Sequence, residues 1–390
     1  MELPLEGLKV VELAQSLGSP FCTSMMSDYG ADVIKVEPRD GDRVRRLGTT
    51  YLNGESAIFF SLNRGKKDIT LDIRKPEGQE IVKKLAKDAD LVTENYRPGV
   101  LDKFGIGYDG LSKLNSRLIY LSITGFGAKG PWADRPGTEP VFQAYSGLMS
   151  ARNEKGVPQP VSIAVSDMAA AVYAFMGVML ALYVRDHTGK GQRVDVSNLN
   201  STLSMFSQSA QVSFFGGPPK DLPAVSAVPN GPYKTKDGYF LIASPNPQYW
   251  PNICKALGRE DLITDPKFAT NMERVRNKQE CDAIIQDIVV QKTTAEWLKI
   301  FREADAMGGP INTFADLPKD PQLLANDMIV TVDHPIVGAM NMIGIPIKLS
   351  DTPGKIKGAP PVLGHDTNEV LQGLGYTEKQ IEELKKAEVI

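Results

Sequence analysis

Cysteine and histidine are scarce in this chain, with three of each, and that scarcity excludes several kinds of protein. Cys22, Cys254 and Cys281 are far apart, odd in number and form no Cys-x-x-Cys pair. A disulfide framework or zinc site is therefore not expected, and a reducing cytoplasm fits. With His187, His334 and His365 alone, a histidine-rich metal centre is excluded by count. Neither sign of charge dominates: the formal net is -3, with no basic excess for nucleic acid and no acidic tail. Internal repeats and low-complexity tracts are absent. Met1-Glu2-Leu3-Pro4 has neither a basic nor an apolar leader region, so no signal peptide is expected. An uncharged, proline-free run from 168 to 183 is shorter than the roughly 20 residues of a membrane span, and no membrane partner is expected. What remains is an ordinary soluble balance, 42% apolar over 390 residues, enough for one large or two ordinary domains.

The first half alternates short apolar strands with helices. Residues 8–13 read as a strand, Ser19-Pro20 opens a helix, Gly30 ends it, and 32–36 form the next strand. Strand, helix and strand within about 30 residues make a βαβ unit and start a parallel sheet. Strands at 69–73, 91–95 and 118–123, with an amphipathic helix at 76–88, extend the pattern to a doubly wound, Rossmann-like α/β sheet. Such a sheet binds ligands beyond the carboxyl ends of its strands, where Glu37, Asn95-Tyr96-Arg97 and Thr124-Gly125-Phe126-Gly127 fall. Proline and glycine then interrupt the chain. The domains read as 1–210 (large α/β), 211–233 (linker), 234–328 (small α+β) and 329–390 (return to the large domain). One long helix at 271–290, a capping box at Thr293 and two terminal helices are expected in the second half.

The stretch that organises the chain is Ser166-Asp167 and the apolar run that follows. A run apolar on all sides predicts a buried helix, with Asp167 partly buried at its first turn. Position alone also fits a purely structural role, in which Asp167 and Ser166 cap the helix by accepting its free N–H groups. The helix stops at Arg185-Asp186-His187-Thr188-Gly189-Lys190-Gly191-Gln192 and a strand follows at 193–196.

This order of aspartate, apolar helix, Arg-x-x-Thr-Gly-Lys-Gly-Gln and strand resembles the class III, formyl-CoA transferase-like coenzyme A transferases. Further stretches that resemble the family, in its order, are Tyr29-Gly30-Ala31-Asp32, Asn63-Arg64-Gly65-Lys66-Lys67, Glu94-Asn95-Tyr96-Arg97-Pro98-Gly99, Asp134-Arg135-Pro136-Gly137 and Gly364-His365-Asp366-Thr367. The resemblance implies a two-domain subunit interlinked with a second as a ring-like dimer. It implies Asp167 as nucleophile with Gln15 beside it, and Arg39, Arg74, Asn95, Tyr96 and Lys103 as contacts to coenzyme A. Guanidinium and ammonium groups suit its phosphates, and Tyr96 suits stacking on adenine.

Two departures narrow the reading. The region 224–232, Ala-Val-Ser-Ala-Val-Pro-Asn-Gly-Pro, stands where formyl-CoA transferase has a glycine-rich lid, which weakens a formate or oxalate assignment. Gly137-Thr138-Glu139 lacks the histidine that the related acyl-CoA racemases use as acid/base. The expected reaction is transfer of CoA from an acyl-CoA donor to a carboxylic acid, through an aspartyl mixed anhydride and an aspartyl-CoA thioester. No metal or permanently bound cofactor is expected, and the helix N-terminus is expected to keep Asp167 ionised. A subunit active only in a heteromer is the second expectation. A nicotinamide oxidoreductase would need G-x-G-x-x-G after the first strand, where 14–19 holds a single glycine.

Overall fold

The computed structural model describes residues 3–151, 153–154, 157–217 and 227–390. Of the region 224–232, which stands where formyl-CoA transferase has its lid, residues 224–226 lie outside the described part. Two compact units are present, one of residues 1–210 with 321–390 and the other of 211–320.

The first unit is built on six parallel strands: β1 (Lys9–Glu12), β2 (Asp32–Glu37), β3 (Lys67–Thr70), β4 (Leu91–Glu94), β5 (Ile119–Thr124) and β6 (Arg193–Ser197). Their spatial order is β6-β5-β4-β1-β2-β3. Successive strand residues point to opposite faces, so Val10 joins one core and Val11 the other. On one face helix α1 (Gly18–Asp28) packs beneath Val10, Val33, Leu91 and Leu121. Helix α2 (Pro76–Lys87) covers the opposite face with Ile81, Val82 and Leu85. Burying each such side chain contributes about 1.5–3 kcal/mol.

Helix α3 (Glu139–Tyr145) precedes the long α4 (Val165–Thr188), and α5 (Asn198–Met205) follows β6 directly. Helix α4 extends beyond the uncharged run at both ends and stops at Gly189, whose left-handed φ of 73° closes it with an N–H bonded to the Arg185 carbonyl. The expectation of burial on all sides is corrected here. Ala170, Ala171, Ala174, Val178 and Ala181 are buried, whereas Val172, Met176, Leu180 and Tyr183 are exposed along the opposite stripe. Small alanines face inward because α1 and α4 run close together. A Cβ on Gly18 would sit 3.2 Å from the Asp167 carbonyl oxygen.

Segment 321–390 returns to this unit as a hairpin, β10 (Ile329–His334) with β11 (Gly338–Ile343), and two helices, α9 (Thr367–Gly373) and α10 (Glu378–Lys386). The return completes the second core with Leu371, Ile381, Leu384 and Val389.

The second unit carries a three-stranded antiparallel sheet of β7 (Asn230–Lys234), β8 (Tyr239–Ala243) and β9 (Gly308–Pro310). It packs on α6 (Tyr249–Leu257), α7 (Lys278–Val289) and α8 (Thr294–Glu303), around Trp250, Phe240, Trp297 and Phe301. The linker reading is corrected at β7, because an edge strand tolerates Pro232, which has no N–H to offer a further neighbour. The single long helix expected at 271–290 is two, broken at Asn277. The capping box at Thr293 and Glu296 is present.

Candidate active site

Strand order reverses between β1 and β4, and at such a switch point the two outgoing loops diverge to leave a crevice. Here that crevice is bridged. The Gln15 N–H donates to Asn95 Oδ1 at 3.0 Å, and Asn95 Nδ2 donates back to the Gln15 carbonyl. Asn95 therefore spends its amide on the opposing loop. Burial raises the Tyr96 phenol above its usual pKa, and the Gln15 side chain opposes that shift. One cavity lies on each side of this bridge, and Tyr96 lines both.

The first cavity, about 630 Å³, sits over the carboxyl ends of β1 to β3, with an apolar floor of Leu13, Val36, Leu71 and Phe104. Gln15, Arg39, Arg74 and Tyr96 line it. Its cations are already engaged. Arg39 lies 3.5 Å from Glu388, Arg74 is paired with Asp72, and Lys75 donates to backbone carbonyls of Ala387 and Glu388. Lys103 is exposed on the short helix 100–103 and lines neither cavity.

The second cavity, about 680 Å³, holds Asp167, with Ser16, Arg43, Asn95, Arg97, Arg135, Thr138, Glu139 and Asn198 in its wall. Asp167 occupies the first turn of α4, but neither it nor Ser166 caps the helix. Glu139 does so from the start of α3, accepting the Ser166 N–H at 2.8 Å and the Asp167 N–H at 3.0 Å. The same carboxylate accepts from Gln143 Nε2 at 2.8 Å. The Asp167 side chain is left free of the cap and accepts a bond from Asn198 Nδ2 at its Oδ1, at 2.6 Å.

Electrostatics follow from that arrangement. Burial pushes the Asp167 carboxyl up to about 6, and the negative charge of Glu139 acts in the same direction. The Asn198 bond and the Arg43 charge oppose it. The helix N-terminus was expected to hold Asp167 ionised, but its first N–H groups go to Glu139 instead. At neutral pH the carboxylate is still mostly charged, and it is more basic than an ordinary aspartate.

The loop carrying Gln15 and Ser16 is fixed by a buried ion cluster. Glu12, fully buried, pairs with Lys35 at 2.8 Å and with Lys66 at 2.9 Å. Burial opposes its charge, yet the two lysines keep its carboxyl below the usual range. Burial lowers Lys66 to about 8 despite Glu12. Lys35 also reaches Asp42 at 3.0 Å, whose carboxylate accepts the Ser16 N–H at 3.1 Å. That bond holds Ser16 at φ 74°, a strained conformation for a residue with a side chain, and Arg43 Nη2 donates to its hydroxyl at 3.0 Å.

Glu139 and Asn198 were not among the site residues expected from the sequence. Their partnership with Asp167 crosses 28 and 31 residues and leaves no periodic signal. Only the position of Asn198, directly after a parallel strand, marks it as facing the ligand side.

The fold and site are those of a doubly wound α/β enzyme with a reachable, half-buried carboxylate. A family model for CoA-transferase family III matches residues 5–367, and the chain belongs to that family. It is 37% identical over 393 residues to succinyl-CoA:glutarate CoA-transferase of Mus musculus, covering 99% of this chain and 90% of the mouse protein. It is 34% identical over 398 residues to the beta subunit of succinyl-CoA–L-malate CoA-transferase of Chloroflexus aurantiacus, covering 100% and 98%. The crystal structure of a CAIB/BAIF family protein from Brucella suis superposes with a TM-score of 0.86 at 34% identity, covering 96% of this chain and all of that one. The protein is thus an enzyme of the CoA-transferase type, acting on CoA thioesters.

Proposed function

We propose that this enzyme moves CoA from an acyl-CoA thioester to a carboxylic acid with Asp167 as covalent carrier. One observation supports this above others: Asp167 stands at a helix start without capping it, because Glu139 takes that role. A carboxylate kept in a cavity wall, raised in basicity and released from structural work suits a nucleophile.

In this reading Asp167 attacks the thioester carbonyl carbon and expels CoA thiolate, giving a mixed anhydride. The thiolate then attacks the aspartyl carbonyl, forming the aspartyl-CoA thioester and releasing the donor acid. An acceptor carboxylate repeats the two steps in reverse. The nucleotide end of CoA is assigned to the first cavity, with Arg39 and Arg74 on its phosphates and Tyr96 at the passage to the second. Gln15 and Asn95 set the width of that passage. The named substrates of the mouse and Chloroflexus relatives favour a dicarboxylic acyl group such as succinyl. Arg43, Arg97 and Arg135 in the second cavity offer cations for its distal carboxylate.

The exposed stripe of α4 supports a dimer, since Val172, Met176, Leu180 and Tyr183 form an exposed apolar face at helical spacing. The Chloroflexus relative is named as a beta subunit, which favours a heteromer as the second reading. Three free, buried cysteines suit the reducing cytoplasm we assign to it.

The test is chemical. Protein incubated with succinyl-CoA, or with the best donor from a panel, is treated with hydroxylamine and digested. A hydroxamate on the peptide carrying Asp167 is expected. Modification at another carboxylate, with none at Asp167, would overturn the assignment.

A further inference from the structure

We infer that Asn198 is a catalytic residue of the transfer, donating the hydrogen bond that stabilises the charge developing on the aspartyl oxygen. The inference rests on the reading of Asp167 as nucleophile and adds a residue to that site.

The geometry is specific. Asn198 is the first residue of α5, but Ser197 caps that helix, its Oγ accepting the Asn200 N–H at 3.2 Å. The Asn198 carbonyl is held by Thr202 Oγ1 at 2.6 Å, and the Leu199 N–H is held by the Gly125 carbonyl at 3.0 Å. The backbone on both sides is thereby fixed by partners that do not involve the Asn198 side chain. That side chain is buried, with the residue 5% exposed, and its Nδ2 lies 2.6 Å from Asp167 Oδ1. Leucine or alanine would serve a purely apolar packing role in the same place. A buried amide aimed at a charged carboxylate does more.

The chemistry follows from which oxygen it holds. With Oδ1 bonded to Asn198, Oδ2 attacks the donor and becomes the bridging oxygen of the anhydride, and Oδ1 becomes the aspartyl carbonyl oxygen. When the CoA thiolate attacks that carbonyl, a C–S bond forms and the π electrons move onto Oδ1. The charge returns as the C–O bond breaks and the donor carboxylate leaves with the electron pair. No net proton moves in this step. The Asn198 N–H stands where the charge on Oδ1 peaks, and needs no reorientation to meet it. In the resting enzyme the same bond favours the ionised form of Asp167.

Asn198→Ala and Asn198→Leu are compared with the unsubstituted enzyme, using succinyl-CoA with glutarate or the best pair from the donor panel. A fall in kcat of roughly 10²-fold is expected, the scale of losing one such donor. KM for the thioester should change little, and CoA should still raise the melting temperature. The acid limb of the kcat profile should move to higher pH. Asn198→Gln, which keeps the donor on a longer arm, should recover part of the rate. A kcat within about two-fold of the parent in both truncations, with an unmoved acid limb, would overturn the inference. So would an equal loss in Asn198→Gln and Asn198→Ala with no pH shift, which marks a packing role. Asp167→Asn runs in parallel. If it is inactive while Asn198→Ala is normal, only the role of Asn198 fails. If Asp167→Asn turns over normally, the reading of Asp167 fails with it.

Discussion

Glu139 and Asp167 are joined through the backbone: the carboxylate of one receives the amide N–H of the other at 3.0 Å, while their charges repel. The contact fixes the first turn of α4 and raises the basicity of the side chain that the turn presents. Glu139→Gln removes the charge and keeps half of the cap, because the amide oxygen can still accept one of the two α4 N–H groups while its NH2 meets the other. Stability should fall by about 1–3 kcal/mol, the scale of leaving one N–H group without its acceptor. The acid limb of kcat should move below about pH 6, toward an ordinary aspartate. A pH–rate series on the variant measures it, and an unmoved limb would remove Glu139 from the electrostatics of the site.

Asp167→Asn should abolish transfer yet leave a more stable protein at alkaline pH. The folded carboxyl titrates near 6 and the unfolded one near 3.8, so the native state holds the proton more tightly. Its charge therefore destabilises the fold above about pH 6, and this penalty fades as pH falls from 6 towards 3.8. Removing the charge should gain on the order of 3 kcal/mol at pH 8 and well under about 1 kcal/mol at pH 4. Denaturant titrations at the two pH values provide the comparison. An equal effect at both would contradict the raised pKa.

In the first cavity Arg39 lies 3.5 Å from Glu388, which would compete with an incoming phosphate. Both side chains are exposed, and such pairs are worth little in water. Glu388→Gln should tighten CoA binding about two- to five-fold at low salt, and Arg39→Ala should weaken it by a similar or larger factor. Lys103→Ala should leave it unchanged. Isothermal titration at two salt concentrations reports all three. Weakened binding in the Lys103 variant would require a path for CoA outside both cavities.

Asn95 joins the loops after β1 and β4 by two hydrogen bonds. Asn95→Ala should cost about 1–3 kcal/mol of stability. CoA affinity should fall through misplacement of Gln15 and Tyr96, with the salt dependence retained. If CoA binding is lost with no change in stability, Asn95 acts as a direct ligand contact instead.

Leu180→Lys places a charge on the exposed stripe of α4. A dimer of about twice 42.6 kDa is expected for the parent chain by light scattering, and dissociation or aggregation for the variant. An unaltered mass would move the interface elsewhere.

How much of this was legible in the sequence depends on how far apart the partners lie. The βαβ alternation, the stop at Gly189 and the Thr293 capping box are local, and periodicity or turn chemistry announces them. Glu12 and Lys35 lie in stretches that read as apolar strands, and nothing nearby shows that each carries the other's counter-ion. The same holds for Glu139, whose role as the cap of α4 replaces one that position alone assigned to Asp167. Charge that is satisfied across a fold has no sequence period. Position at the carboxyl end of a strand is the signal that remains, and it points to Asn95 and Asn198 alike.

The return of the C-terminal segment also bears on how the chain is made. By residue 197 all six strands of the large sheet have been synthesised, yet one of its faces still lacks Leu371, Ile381, Leu384 and Val389. The Val389 carbonyl accepts the Asp72 N–H at 2.7 Å, tying almost the last residue to an early loop. A chain emerging from the ribosome must therefore complete its second unit while the first is still open along one side. Removing the last helix would leave every proposed site residue in place and strip part of the apolar cover from the sheet that holds them.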